Sequence, residues 1–109
     1  MKTLYKTKVI SSGGRNGRIE SEDGVLKLDL RMPKGLGGEG GNFTNPEQLF
    51  AAGYSACFDG ALNLIASQRK LKINSKILAT VGLQQIEDGL NLFVELDAEI
   101  NGVDRDTAN

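Results

Sequence analysis

One cysteine and no histidine stand in the 109 residues, and together they limit the chemistry open to this chain. Without histidine there is neither a Ser-His nor a Cys-His nucleophile pair. A structural zinc site would need carboxylates plus one sulfur, a donor set such sites almost never use, so no metal is expected. The lone cysteine forbids a disulfide within the chain, and small secreted domains usually carry several; the expected home is a reducing cytoplasm. Cys57 is therefore the residue on which chemistry would centre, as a thiolate nucleophile. Gly53, Gly60 and Ala61 lie four before, three after and four after it, which leaves its side of a helix nearly bare. Interior helical glycine costs about 1 kcal/mol relative to alanine, so two of them around one sulfur suggest that a strand or a substrate comes close. A free cysteine in an apolar helix is also often just a small hydrophobe. From the residues alone, reactive and inert readings both stand.

Nucleophilic work requires the thiolate, and a thiol with an ordinary pKa of about 8.5 moves further from it when set among apolar groups. A cation has to be supplied. The helix start at Asn45 is about 18 Å away along the axis. With histidine absent, arginine is left. Of the five arginines, Arg15 in Gly13-Gly14-Arg15-Asn16-Gly17 has a glycine setting that points to deliberate backbone placement. Arg18 and Arg31 are weaker alternatives, more simply read as solvated strand residues. An arginine withdrawn from water needs a carboxylate to hold it. Glu47 lies about 15 Å from Cys57 along the same helix, too far to touch the sulfur directly. Its simpler role is that of an acid favoured at a helix N-terminus.

The elements that must position these residues are legible in the patterning. Nine of the 14 glycines fall in the first 41 residues, which separates a turn-rich front from a regular remainder. In the front, Leu4 to Ile10 contains β-branched residues and Gly13–Gly17 is a reversal into a strand at Arg18–Ser21. Glu22-Asp23-Gly24 makes a second turn. Val25 to Met32 alternates apolar and polar residues from Leu26 onward, as a half-buried strand does. Gly35-Leu36-Gly37-Gly38-Glu39-Gly40 matches the dinucleotide pattern G-x-G-x-x-G in form only. The helix signal comes after the last glycine, so the stretch reads as a flap or connector. Asn45 as N-cap, Pro46 at the first helical position and Gln48 as the far half of a capping box start a helix expected to run to about Lys70. Its half from Leu49 to Phe58 has no charge and no polar face, so burial on nearly all sides is expected. Two more strands, Ser75 to Ile86 and Leu90 to Ile100, alternate and are joined by a hairpin at Glu87-Asp88-Gly89. Strands, helix and strands in that order give an α+β class. Asp104 or Asp106 resembles the N-cap of a helix that the sequence does not go on to deliver.

The bulk properties narrow the partners. With 13 basic and 14 acidic residues the net charge is -1, and no run of like charge offers a phosphate field, so nucleic acid is not expected as a partner. Nowhere do eighteen apolar residues follow one another, and the N-terminus leads into no apolar stretch; neither a membrane span nor a signal peptide is expected. At 109 residues the chain reads as a single small domain with a thin core, for which association with a second copy is the natural supplement.

Thr44-Asn45-Pro46-Glu47-Gln48-Leu49-Phe50-Ala51-Ala52-Gly53-Tyr54-Ser55-Ala56-Cys57-Phe58, with Gly13-Gly14-Arg15 before it and Gly60-Ala61-Leu62 after it, closely resembles the organic hydroperoxide resistance proteins of bacteria, within the OsmC-like family. The resemblance runs along essentially the whole chain. It implies an intertwined α+β homodimer with a buried central helix and active sites at the subunit interface. It implies that Cys57 is a peroxidatic cysteine, that Arg15 activates its thiolate and polarises the peroxide, and that Glu47 orients Arg15. Phe50, Tyr54 and Phe58 would line an apolar substrate pocket, with core packing as the alternative. The implied reaction is reduction of an organic hydroperoxide to its alcohol, without a bound cofactor. Family members resolve the oxidised cysteine with a second cysteine on a later helix, and dihydrolipoyl groups on partner proteins then reduce the disulfide. This chain has one cysteine, so it is expected to be incomplete at its C-terminus or to depend on an external dithiol. A thiol-based redox sensor or binding module and an inactive structural fragment are the competing readings.

Overall fold

The front segments pair into a three-stranded antiparallel sheet in the order β1 (Val9–Ser12), β2 (Arg18–Ser21), β3 (Lys27–Asp29). The computed structural model describes residues 1–102. The candidate N-caps Asp104 and Asp106 lie outside the described residues. Residues 1–46 form one compact unit and those from Glu47 onward a second.

In the first unit, Ile19 and Leu30 supply the buried apolar side chains, at 9% and 3% exposure. Of the apolar residues in the alternation from Leu26 onward, Leu30 is inward as expected, but Leu26 and Leu28 are exposed at 37% each, and the paired strand is shorter than the pattern. Leu30 makes a single parallel bridge to Thr44 just beyond β3. The turn after β2 is held by side chains. The Ser21 hydroxyl donates to Asp23 Oδ1 at 2.6 Å, and the Val25 amide donates to the same oxygen at 3.0 Å. Both bonds favour the carboxylate, the Ser21 bond most, so the Asp23 pKa lies below its ordinary value.

The second unit contains α1 (Pro46–Gln68), β4 (Asn74–Ile86) and β5 (Gly89–Asn101). Pro46 opens the helix, as its missing N–H and fixed φ allow. β4 and β5 pair antiparallel from Asn74↔Asn101 to Ile86↔Gly89, which leaves Glu87 and Asp88 as the hairpin loop. One face of β4, with Ser75, Ile77, Ala79 and Val81, is half-buried while the residues between them are exposed. This is the α+β order of strands, helix and strands expected from the sequence.

The burial expected for the helix is not met within the chain. Ala66 is the one buried residue of α1, and Phe50, Tyr54 and Phe58 are exposed. The physical reason is coverage: a helix apolar on all sides needs several surfaces, and here one stripe is covered. Ala51, Ser55, Asp59 and Leu62 are half-buried and line up with Ala66 at helical spacing. On that side Asn63 Nδ2 donates to Asp59 Oδ1 at 2.9 Å and to Ser75 Oγ of β4 at 2.9 Å, and the Ser75 hydroxyl donates to Asp59 Oδ1.

Candidate active site

Cys57 is a free, exposed thiol in the middle of α1. At about 100° per residue it stands roughly 160° around the helix from Asp59, away from the stripe tied to β4. Phe50, Tyr54, Ala61 and Leu64, at i−7, i−3, i+4 and i+7, share its side. Phe50 and Tyr54 stack with ring centroids 5.7 Å apart. The thiol therefore sits within an apolar stripe, a setting into which an alkyl group would partition by burying its surface. Added Cβ atoms at Gly53 and Gly60 meet nothing within 4 Å. The close approach that these glycines suggested is thus absent from the described chain, and the space beside the sulfur is open.

Arg15 occupies a 3-10 turn, Gly14–Asn16, between β1 and β2. The glycines around it are required by geometry. Gly13 and Gly14 have φ of 80° and 62°, and a Cβ on Gly17 would lie 1.8 Å from the Ser12 carbonyl oxygen. Arg15 and Glu47 are both half-buried and both engaged by neighbouring groups. Glu47 lies in the first turn of α1, and Cys57 and Glu47 share that helix, while Arg15 belongs to the first unit.

The alternative arginines separate clearly. Arg18 is an exposed strand residue 3.9 Å from Glu20, as its solvated reading requires. Arg31 is not a solvated strand residue. It lies beyond β3, its Nη1 donates to the carbonyls of Asn16 at 3.2 Å, Gly17 at 3.3 Å and Leu30 at 2.5 Å, and its Cζ sits 4.8 Å from the centre of the Phe43 ring. Spacing along the chain carries no signal for which carbonyls so long a side chain will find.

The glycine-rich loop is a connector. The amides of Gly37, Gly38 and Gly40 donate to the carbonyls of Lys34, Pro33 and Met32, so they are already engaged rather than turned outward as a phosphate would need. Among the described residues no group of three His, Cys, Asp or Glu side chains gathers as a metal would require.

Strands, a thiol-bearing helix and a long hairpin are the features of a known class. Residues 38–108 match the family described as OsmC-like protein. An organic hydroperoxide resistance protein of Xanthomonas axonopodis pv. citri is 46% identical over 106 residues, covering 95% of this chain and 75% of the relative. Among solved structures, an organic hydroperoxide resistance protein from Elizabethkingia anophelis, with thiocyanate bound, matches with a TM-score of 0.88 at 51% identity, over 98% of this chain and 78% of its own. Another from Vibrio cholerae, assigned to the same group and described with captopril bound in one of the active sites, matches with a TM-score of 0.88 at 42% identity, over 99% and 74%. The chain belongs to the OsmC-like family. Within it, the relatives it resembles are the organic hydroperoxide resistance proteins.

Proposed function

We propose that this protein is a cysteine-dependent peroxidase that reduces organic hydroperoxides to alcohols and so protects the cell against them. The observation that carries the reading is an exposed thiol within an apolar helical stripe, in a chain whose relatives are named for organic hydroperoxide resistance. The Cys57 thiolate attacks the distal peroxide oxygen, the O–O bond breaks, and the alkoxide takes a proton and leaves as alcohol. Cys57 becomes a sulfenic acid. Arg15 stabilises the thiolate and the charge developing on the oxygens, a preorganised task for which the planar guanidinium suits better than a lysine. Glu47 orients Arg15. Phe50, Tyr54 and Phe58 favour alkyl over inorganic peroxides by offering apolar surface.

The electrons that return the sulfenic acid to the thiol come from an external dithiol of the lipoyl type. One thiol displaces water and forms a mixed disulfide, and the second releases Cys57 and closes the reductant's own disulfide. Captopril carries a thiol, and its description in one of the active sites of the Vibrio cholerae relative supports access by such compounds. The apolar stripe of α1 supports a homodimer, in which a second copy covers it and helps enclose the site. A free thiol suits a reducing compartment, and the cytoplasm is the proposed location.

The test is to count peroxide consumed per subunit when reduced protein meets cumene or tert-butyl hydroperoxide with excess dithiol. Many equivalents are expected. No consumption sinks the redox reading, and consumption that stops near one equivalent makes Cys57 a sensor rather than a turnover site. Arg15→Ala is expected to slow Cys57 oxidation far more than Arg18→Ala; equal effects remove Arg15 from its role.

A further inference from the structure

We infer that Arg31 is a positioning residue for Arg15: it clamps the turn that carries Arg15 and thereby sets the aim of that guanidinium. The inference rests on the proposed role of Arg15. A three-residue 3-10 turn has few bonds of its own. Here the Gly17 amide to Gly14 carbonyl bond, 3.1 Å, closes it. Two positive-φ glycines precede Arg15, so the backbone leading into it is unusually free unless held from outside.

Three consecutive residues after β3 supply that hold. The Leu30 amide donates to the Gly17 carbonyl at 2.8 Å, and the Met32 amide donates to Asn16 Oδ1 at 2.9 Å. Between them, Arg31 Nη1 donates to the Asn16 carbonyl at the end of the turn and adds a second bond to the Gly17 carbonyl. The guanidinium is backed on another side by the Phe43 ring, which limits its own wandering. The outcome is a cation buttressed by an aromatic face and fastened to the peptide that follows Arg15. A group that stabilises developing charge must be held to a fraction of an ångström, because a displacement of about 1 Å can cost about a hundredfold in rate. Lysine has neither the fork nor the flat face to replace it.

A double-mutant cycle tests this, read as the second-order rate of Cys57 oxidation by cumene hydroperoxide and as the pH midpoint of Cys57 alkylation. Arg31→Ala is expected to slow oxidation about tenfold, part of the loss that misplacing a catalytic group brings, and to move the alkylation midpoint in the same direction as Arg15→Ala. In an Arg15→Ala background, Arg31→Ala should change either reading less than about twofold, since sites that act through one another are not additive. Arg31→Lys keeps the charge and is the variant to read if Arg31→Ala does not fold; it too should be slow. Wild-type rates in both Arg31 variants, or an equal loss with and without Arg15, would overturn the inference. If Arg15→Ala alone oxidises at the wild-type rate, the proposed role of Arg15 fails. The clamp is then judged by amide exchange at Gly17, which must quicken in Arg31→Ala.

Discussion

A methyl group at position 17 would stand 1.8 Å from the Ser12 carbonyl oxygen and 2.7 Å from Gly13 Cα, so this residue is glycine because nothing larger fits. Gly14 is glycine for a different reason. Its φ is 62° with nothing within 4 Å of an added Cβ, so alanine there meets conformational strain without a clash. Left-handed conformation costs roughly 1–2 kcal/mol for a residue with a Cβ, whereas a backbone clash forces the turn itself to move. Gly17→Ala is therefore expected to destabilise the protein more than Gly14→Ala and to slow Cys57 oxidation as Arg15→Ala does. Thermal melts and single-turnover oxidation read the two effects separately, and equal melting losses for the two variants would contradict the clash. The glycine cluster around Arg15 was legible in the sequence because glycine types report backbone demands directly. The hold on that turn by Arg31 was not, because it depends on which carbonyls fold within reach of the guanidinium.

Elements were legible where their signals are local. Pro46 marks the start of α1, and the period-two pattern of Ile77, Ala79 and Val81 marks the covered face of β4. Strand ends were less legible, because a strand lasts only as long as its partner. Leu4 to Ile10 has strand-forming residues, yet β1 begins at Val9, the residue that faces Ser21 at the end of the four-residue β2. α1 ends at Gln68, close to the expected Lys70, and no glycine marks that end. Lys70 takes the left-handed position instead, with φ of 58°. The Lys70 amide donates to the Ser67 carbonyl at 3.0 Å and the Leu71 amide to the Ala66 carbonyl at 2.8 Å, the paired bonds of a Schellman cap. Glycine adopts that conformation without the Cβ conflict. Lys70→Gly is therefore expected to raise stability by about 1 kcal/mol, the strain that a side chain meets there. Denaturant melts check this, and Lys70→Asn should fall between the two.

At the scale of the molecule, the described residues bury little: Ile19, Leu30 and Ala66 are the buried apolar residues, and no large side chain is fully buried. This was not legible in the residues, since an apolar helix reads as core wherever its covering surfaces come from. α1 keeps Leu64 and Ile65 at 60% and 50% exposure. By length and composition it would also pass for a membrane span, with a mean hydropathy of 1.3. Two kinds of cover are thus possible in principle, protein or lipid, and its polar residues help choose between them. Asp59 and Asn63 bond to Ser75 of β4, which ties one side of α1 to a strand and leaves the apolar Cys57 side in need of cover. A second copy meets that need, because two such stripes facing each other bury both, at about 2 kcal/mol for each Leu, Ile or Phe covered. The protein is expected to sediment as two chains, and Leu64→Glu to shift it toward one chain with a lower melting temperature, since a carboxylate cannot be buried in an apolar interface without cost. Sedimentation repeated with lipid vesicles distinguishes the lipid case. Flotation of the wild type with the vesicles, together with a single-chain mass in their absence, would mean that lipid rather than a second copy covers the thiol-bearing side of α1.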